Sequence, residues 1–408
     1  MLSGISWWAS CPAALTGETW MNKIAIAAAV TAVLASTAGA ASAQTTPAPA
    51  APAAPATPSL GAVIAATPGL SITGYVASTY DYFNTSSTAL RAFDTTQNGF
   101  KLNQAAVTLA YLPSSGAGAQ VTLIGGSDAK ILRNGEIPLC VTSAGASGCT
   151  NSQFDLNNAF VQYATGPLTV MAGKYSSLAG AETTNPVTDN TISRSLLFWD
   201  MEPGALTGVR ANYTVAPALT LIAGVNNGWG FTTPAPSTSK TIELGATGAP
   251  NKMFSYTADY YRGQSPWFGG SPNGVLQLLD LVGTFNATDA LTLAGNIDIL
   301  SKDNALPNGG KGKANGVALY ATYALTPQWG LAARGEYIDD KDGIVSGTNG
   351  TSNKLKELTL AVNYALASNL KLSAEVRQDR SNGAIYTKKD GASTTKQTSF
   401  ELQALYSF

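Results

Sequence analysis

Val362-Asn363-Tyr364 is followed, after Ala365 to Asn369, by Leu370-Lys371-Leu372-Ser373-Ala374-Glu375-Val376. Successive side chains on a β-strand point to opposite faces. Leu370, Leu372, Ala374 and Val376 therefore share one face, and Lys371, Ser373 and Glu375 share the other. Ser368-Asn369 between the two halves is a turn signal. The stretch reads as strand, tight turn, strand, with an aromatic residue just before the turn. The same spelling recurs where Ala211-Asn212-Tyr213 precedes Leu219 and Leu221, and where Gly283-Thr284-Phe285 precedes Leu291 and Leu293. It recurs again where Ala321-Thr322-Tyr323 precedes Trp329 and Leu331. A shortened copy runs from Tyr163 through Thr165-Gly166-Pro167 to Leu168 and Val170.

Sorting these strands by face places Arg210, Asp259, Asp280, Asp298, Arg334, Glu336, Lys371, Glu375 and Glu401 opposite the apolar positions. A soluble β-sandwich would alternate in the same way, because its inner face is also dry. Two features favour a transmembrane barrel. The apolar face recurs over more strands than one sandwich core holds, while the polar face is poor in Lys and Glu and rich in Asn, Thr, Ser and Gly. Aromatic residues also gather at strand ends beside the brief turns, as a ring at a membrane interface does. The whole-chain numbers agree with this reading. Of 408 residues only 12% are charged and 45% are hydrophobic, yet mean hydropathy is only +0.05. After the first 40 residues, no run approaches the roughly 18 apolar residues of a spanning helix. The expected fold is therefore all-β, a closed antiparallel transmembrane β-barrel.

Sixteen strands are predicted, near 70–83, 99–112, 119–129, 154–164, 168–175, 206–215, 218–227, 240–247, 252–262, 274–285, 290–300, 315–325, 328–339, 355–366, 369–379 and 397–408. The weakest are 119–129 and 240–247, and without them fourteen remain. Brief turns follow even-numbered strands and long loops follow odd-numbered ones, so the chain enters and leaves on one side. The last strand alternates Phe400, Leu402, Ala404, Tyr406 and Phe408. By resemblance, such an ending is the signal read by the outer-membrane barrel-assembly machinery.

The first part of the chain reads differently. Met21-Asn22-Lys23, the apolar run Ile24 to Leu34 and Ala41-Ser42-Ala43 make a secretory signal peptide over 21–43. Residues 1–20 fit neither a signal nor a domain and read as an extension upstream of a true start at Met21. Residues 44–69, rich in Pro and Ala, read as a solvated periplasmic linker, and 70–408 as the barrel. In an oxidising periplasm Cys140 and Cys149 favour a disulfide over free thiols.

Chemistry is bounded by absences in the sequence. The chain has no histidine, which excludes Ser-His-Asp and Cys-His catalysis and histidine-ligated metals. No catalytic residue, metal-ligand set or cofactor is assigned. A formal charge of −1 gives no general attraction to nucleic acid. The longest connection, Ser176 to Ala205, carries Glu182, Asp189, Arg194, Asp200 and Glu202. It is expected to fold into the lumen and narrow it, facing Arg210, Arg334 and Arg377. The other reading is an outward surface loop. Arg210, Asp259, Asp280, Asp298, Arg334, Glu336, Glu375 and Arg377 are the expected pore-lining residues. Their slight acidic excess predicts at most weak cation preference.

Beyond these patterns the chain resembles a known family. The matching stretches are Leu102-Asn103-Gln104-Ala105, Ala172-Gly173-Lys174, Gly180-Ala181-Glu182 and Asn190 with Ser193-Arg194-Ser195-Leu196-Leu197-Phe198. Thr207-Gly208-Val209-Arg210, Asn226-Asn227-Gly228-Trp229 and Arg334-Gly335-Glu336-Tyr337 leading to Asp339-Asp340 continue it. Glu375-Val376-Arg377 and Tyr406-Ser407-Phe408 complete the match. From about Gly74 to Phe408 the chain resembles the OmpL-like β-barrel porins of Gram-negative bacteria. The resemblance implies an outer-membrane channel among lipid and lipopolysaccharide, passing small hydrophilic solutes. Trimers are common among sixteen-stranded porins, so it also brings in a homotrimer. The alternatives are a non-conducting barrel acting as adhesin, anchor or receptor, and a barrel enzyme, for which no carboxylate pair stands out.

Overall fold

The computed structural model describes residues 64, 66–86, 88–136, 151–230, 240–268, 270–271, 273–348 and 350–408. The extension at 1–20, the signal peptide at 21–43, the linker up to residue 63, and Cys140 and Cys149 lie outside the described residues. The chain divides into two compact units, Met1–Pro68 and Gly69–Phe408.

The second unit is built from alternating segments whose backbone polar groups pair mainly with neighbouring strands. These are β1 (Leu70–Phe83), β2 (Gly99–Tyr111), β3 (Gly116–Gly125), β4 (Phe154–Thr165), β5 (Leu168–Ser176) and β6 (Ala205–Ala216). Next come β7 (Leu219–Asn226), β8 (Thr241–Gly248), β9 (Phe254–Gln264), β10 (Val275–Asn286), β11 (Leu291–Lys302) and β12 (Gly312–Ala324). The rest are β13 (Trp329–Asp340), β14 (Asn353–Ala367), β15 (Leu370–Ser381), the short β16 (Tyr386–Thr387) and β17 (Ser393–Thr394), and β18 (Lys396–Ser407).

All but β16 and β17 form one closed ring of sixteen antiparallel strands, in which β18 returns to pair with β1. Closure leaves no unpaired edge toward hydrocarbon, the condition any membrane-crossing sheet must meet. No helix among the described residues is long and apolar enough to cross a membrane.

The expected alternation is realised in burial. Leu319, Leu358, Leu360 and Val362 point outward, with Leu319 64% exposed, whereas Asp298, Asp280 and Glu401 point inward and are fully buried. Tyr163, Tyr213, Phe285, Tyr323, Trp329 and Tyr406 are exposed at the short-turn end, and Trp329 packs on Tyr364 at 4.5 Å. Brief turns follow the even strands up to β14, as the sequence predicts.

Three differences matter for function. The third strand stops at Gly125 rather than running to 129. Gly126 has φ 125°, and a Cβ there would lie 2.3 Å from the Asn103 carbonyl oxygen. The chain turns there into helix α1 (Ser127–Gly135), with Asp128 in its first turn and Arg133 in its last, each favourable to the helix dipole. A second short helix, α2 (Leu196–Asp200), lies in the long connection 177–204, with Ser195 capping it through the Phe198 N–H at 3.0 Å. The third difference is on the wall. Its inner face is not polar throughout: Leu276, Leu278, Leu300, Ile338 and Leu355 face inward near the long-loop end and bury themselves against Leu196, Leu197 and Met201.

The outward face sets a test. Leu319→Arg puts a cation mid-strand on the hydrocarbon side and is expected to destabilise the barrel by about 2–4 kcal/mol. Urea-unfolding midpoints in lipid vesicles, compared with wild type, measure it.

Candidate functional site

A ring of sixteen strands encloses more space than the wall's own side chains fill. Here three chain segments enter that space. The first is the stretch around Arg91, in the connection after β1. Arg91 donates to Asp379 at 2.8 Å, to Glu401 at 3.0 Å and to Ser399 at 2.8 Å, and it also pairs with Asp94. The second is α1, whose Asp128 accepts from Gln104 at 3.2 Å and whose following residue Glu136 pairs with Lys174 at 2.6 Å.

The third and longest is 177–204, referred to as loop 3. Its fastening to the wall is largely through main-chain donors and carboxylate acceptors. Glu375 accepts from the N–H of Ile192 at 2.5 Å and of Ser193 at 3.1 Å. Glu336 accepts from the N–H of Leu196 at 3.0 Å and of Leu197 at 3.2 Å, at the start of α2. Arg377 donates to the Arg194 carbonyl at 2.5 Å. Arg334 is the hub: it donates to Glu182 at 2.7 Å, Thr191 at 3.0 Å, the Ser193 carbonyl at 2.8 Å and Glu357 at 3.2 Å. Charge-assisted bonds of this kind are roughly twice as strong as neutral ones.

Within loop 3, Glu182 also accepts from the Ser195 N–H at 2.6 Å, and Asp189 pairs with Arg194 at 2.9 Å. Burial pushes the Asp189 carboxyl up to about 7, against the lowering effect of the Arg194 guanidinium. Asp200 ends α2 with carboxylate oxygen Oδ2 buried and unpartnered. Arg210, farther round the wall, is bound by Glu243 at 2.6 Å and lies over the Tyr175 ring at 4.3 Å.

The sequence reading has Arg210, Arg334, Glu336, Glu375 and Arg377 as pore-lining residues, with the long loop facing the three arginines. The structure places all five on the inner face but buried, each engaged by loop 3 or by a neighbouring strand. Asp259, Asp280 and Asp298 form one row across β9, β10 and β11, through the register pairs Asp280↔Asp259 and Asp280↔Asp298. That row is also buried.

Sequence reasoning missed Glu357, Glu243 and Arg91, without which the named arginines and carboxylates have no balance. Glu357 shares an inward phase with Leu355, and that apolar inward neighbour hides it from a hydrophobic-versus-polar reading. Arg91-x-x-Asp94 carried a local signal in its spacing, but its partners Asp379 and Glu401 lie far along the chain.

Two spaces border loop 3. A cavity of about 230 Å³ lies between Glu182, Asp189, Asn190 and Thr191 of the loop and Thr284, Thr292, Tyr320 and Thr322 of the wall. A tighter space of about 50 Å³ lies among Glu136, Asn157, Phe198, Trp199, Glu202 and Trp229. The first is lined largely by hydroxyls, amides and carboxylates, and the second joins carboxylates to aromatic rings.

Comparison with known proteins accords with this architecture. The outer membrane channel DcaP of Acinetobacter baumannii shares the fold, with a TM-score of 0.55 at 14% identity over 83% of this chain and 97% of that one. So does OmpT of Vibrio cholerae in its trimer form, with a TM-score of 0.56 at 13% identity over 83% and 99%. An anion-selective porin from Comamonas acidovorans matches with a TM-score of 0.55 at 12% identity over 83% and 99%. No curated protein matches the chain. The sequence profile of the family described as "Putative beta-barrel porin-2, OmpL-like" matches residues 69–408, which is the whole of the closed sheet, and the chain belongs to that family of outer-membrane porins.

Proposed function

We propose that this porin is a passive diffusion channel for small hydrophilic solutes, with loop 3 as its constriction. The observation that carries the reading is the fastening of loop 3 across the interior by Arg334, Glu336 and Glu375. A narrow passage beside a rigidly held loop selects by size and by the few charges that still meet water. Because the wall arginines and most wall carboxylates are spent in buried pairs, those charges are few. Glu182 and Asp189 border the 230 Å³ cavity but each is paired with an arginine, so the slight acidic excess of the lining supports at most a weak preference for cations.

The same reading takes the chain to the outer membrane through the signal at 21–43. There it is surrounded by lipid and lipopolysaccharide, assembled through the strand ending in Phe408, and able to associate as a homotrimer. It performs no catalysis.

A second reading, a non-conducting barrel serving as adhesin, anchor or receptor, is favoured by one observation. The inward segments meet one another: Phe93 of the first long connection lies 6.3 Å from Phe198 and 5.8 Å from Trp199. Phe198 also shares an apolar cluster with Leu132 of α1.

Planar-bilayer recordings separate the two readings. The wild-type barrel is expected to conduct in small, uniform steps, with a reversal potential in a salt gradient weakly on the cation side. Silence in a correctly assembled barrel favours the second reading. Deleting Ser193–Phe198 is expected to raise single-channel conductance, and unchanged conductance would remove loop 3 as the constriction.

A subtler variant tests the fastening. Glu375→Ala leaves the Ile192 and Ser193 N–H groups without their acceptor. A buried N–H left without an acceptor costs about 1–3 kcal/mol. Trypsin is therefore expected to cut after Arg194 in this variant and not in wild type, and current noise should increase.

A further inference from the structure

The row Asp259, Asp280, Asp298 is unusual because like charges directly across a strand pair repel. Loop 3 adds to it. Glu202, on the return leg of the loop, brings a further carboxylate against the wall. One oxygen each from Glu202, Asp280 and Asp298 lie within 4.8 Å of one another, and all three residues are buried. The wall arginines are committed elsewhere: Arg210 to Glu243, Arg334 to Glu182 and Glu357, and Arg377 to Asp379. Among the described residues no ion pair reaches Glu202, Asp280 or Asp298.

The surroundings are short of hydrogen-bond donors. Glu202 Oε2 and Asp298 Oδ2 are buried with no hydrogen-bond partner. Asn296, itself fully buried, gives its amide N–H to Asp280 at 2.9 Å and to Asp298 at 3.3 Å, while its own Oδ1 has no partner. The backbone is shaped to the same point. Gly180 N–H donates to Asp280 at 3.2 Å, and Gly180 has φ 91°. A Cβ at Gly180 would lie 1.9 Å from Glu202 Oε2, so glycine is what lets this carboxylate approach. Orphaned buried acceptors without donors are rare in folded proteins and call for a reason.

We propose that Glu202, Asp280 and Asp298 hold a divalent cation of the calcium class, which ties the return leg of loop 3 to β10 and β11. Calcium takes oxygen ligands at about 2.3–2.6 Å, so donors on opposite sides of the ion stand roughly 4.6–5.2 Å apart. The smaller magnesium ion demands about 2.0–2.1 Å and near-ideal octahedral geometry. Three carboxylate oxygens within 4.8 Å of one another can face one oxygen-ligated cation, and calcium's tolerance of irregular geometry suits ligands drawn from two strands and a loop. The ion offsets the repulsion of the acidic row and fixes the return leg of loop 3 at strands other than the one that carries Arg377. The proposal does not depend on what crosses the channel.

The test uses the full barrel in zwitterionic detergent free of lipopolysaccharide, with terbium as the luminescent stand-in for calcium. Trp199 and Trp229 border the same cavity as Glu202 and supply the sensitising indoles. Wild type is expected to give indole-sensitised terbium emission that calcium displaces at lower concentration than magnesium. Its unfolding temperature should fall when calcium is removed with EGTA. Asp298→Asn is expected to weaken binding at least tenfold and to make the unfolding temperature indifferent to calcium. Glu202→Gln, which alters no strand, does the same and guards against misassembly of the wall variant. Absence of emission and of any calcium-dependent unfolding shift in wild type would overturn the proposal. So would equal binding by both variants, and magnesium displacing terbium as readily as calcium would overturn the choice of ion.

Discussion

A ring of sixteen strands leaves a cross-section too wide for its own side chains, and in this barrel the charge on the inner wall has to be met by something that reaches it. Arg334 is where that requirement is most acute. Its guanidinium is buried, so every N–H it carries must find an acceptor or forfeit its hydration without return. Glu357 on the next strand supplies one acceptor, and loop 3 supplies Glu182, Thr191 and the Ser193 carbonyl. Wall and loop are thus mutually necessary. Loop 3 has a fixed path because the wall is charged, and the wall can be charged because loop 3 lies on it.

The two faces of α2 extend this dependence into apolar packing. Leu196 and Leu197 turn toward Leu276, Leu278 and Leu300, while Phe198 turns toward Leu132 and Phe93. One short helix therefore joins the strands on one side of the ring to the helix and loop carried by the strands on the other. Polar fastening sets where the backbone goes, and apolar contact on both flanks stops it rocking. The cavity of about 230 Å³ lies between the loop and the wall.

Much of the fold was legible because strand periodicity is local. Leu370, Leu372, Ala374 and Val376 reveal their face without any knowledge of a partner, and Ser368-Asn369 reveals the turn. The inward apolar band was not legible for the same reason. Where Leu300 follows Ile299, or Leu278 precedes Leu279, both faces are apolar and the alternation that marks the interior disappears. Helix α1 lay in reach of the sequence through Asp128 and Arg133, but the apolar run at Val121 to Ile124 carried the strand reading past Gly126. For the candidate site, the residue types on the wall and the acidic content of loop 3 could be read. Their pairing could not, since Arg91 meets Glu401 across a separation of 310 residues.

The seam of the barrel, where β1 and β18 pair from Tyr75↔Ser407 to Phe83↔Ser399, is finished at its edge by two hydrogen bonds. Gly74 and Phe408 exchange their main-chain N–H and C=O groups at 3.0 and 2.9 Å, and the phenyl ring stands where a Cβ on residue 74 would be. Every other neighbouring pair in the ring is joined by a local connection and can zip as a hairpin. This one alone must wait for the two ends of the sheet to find each other. Until they do, β1 and β18 each present a bare template to any passing strand. Such long-range closure is slow for entropic reasons. Maturation therefore contains an interval in which the chain is nearly finished and at its most vulnerable, and once the seam is made its reopening becomes the slow gate to unfolding.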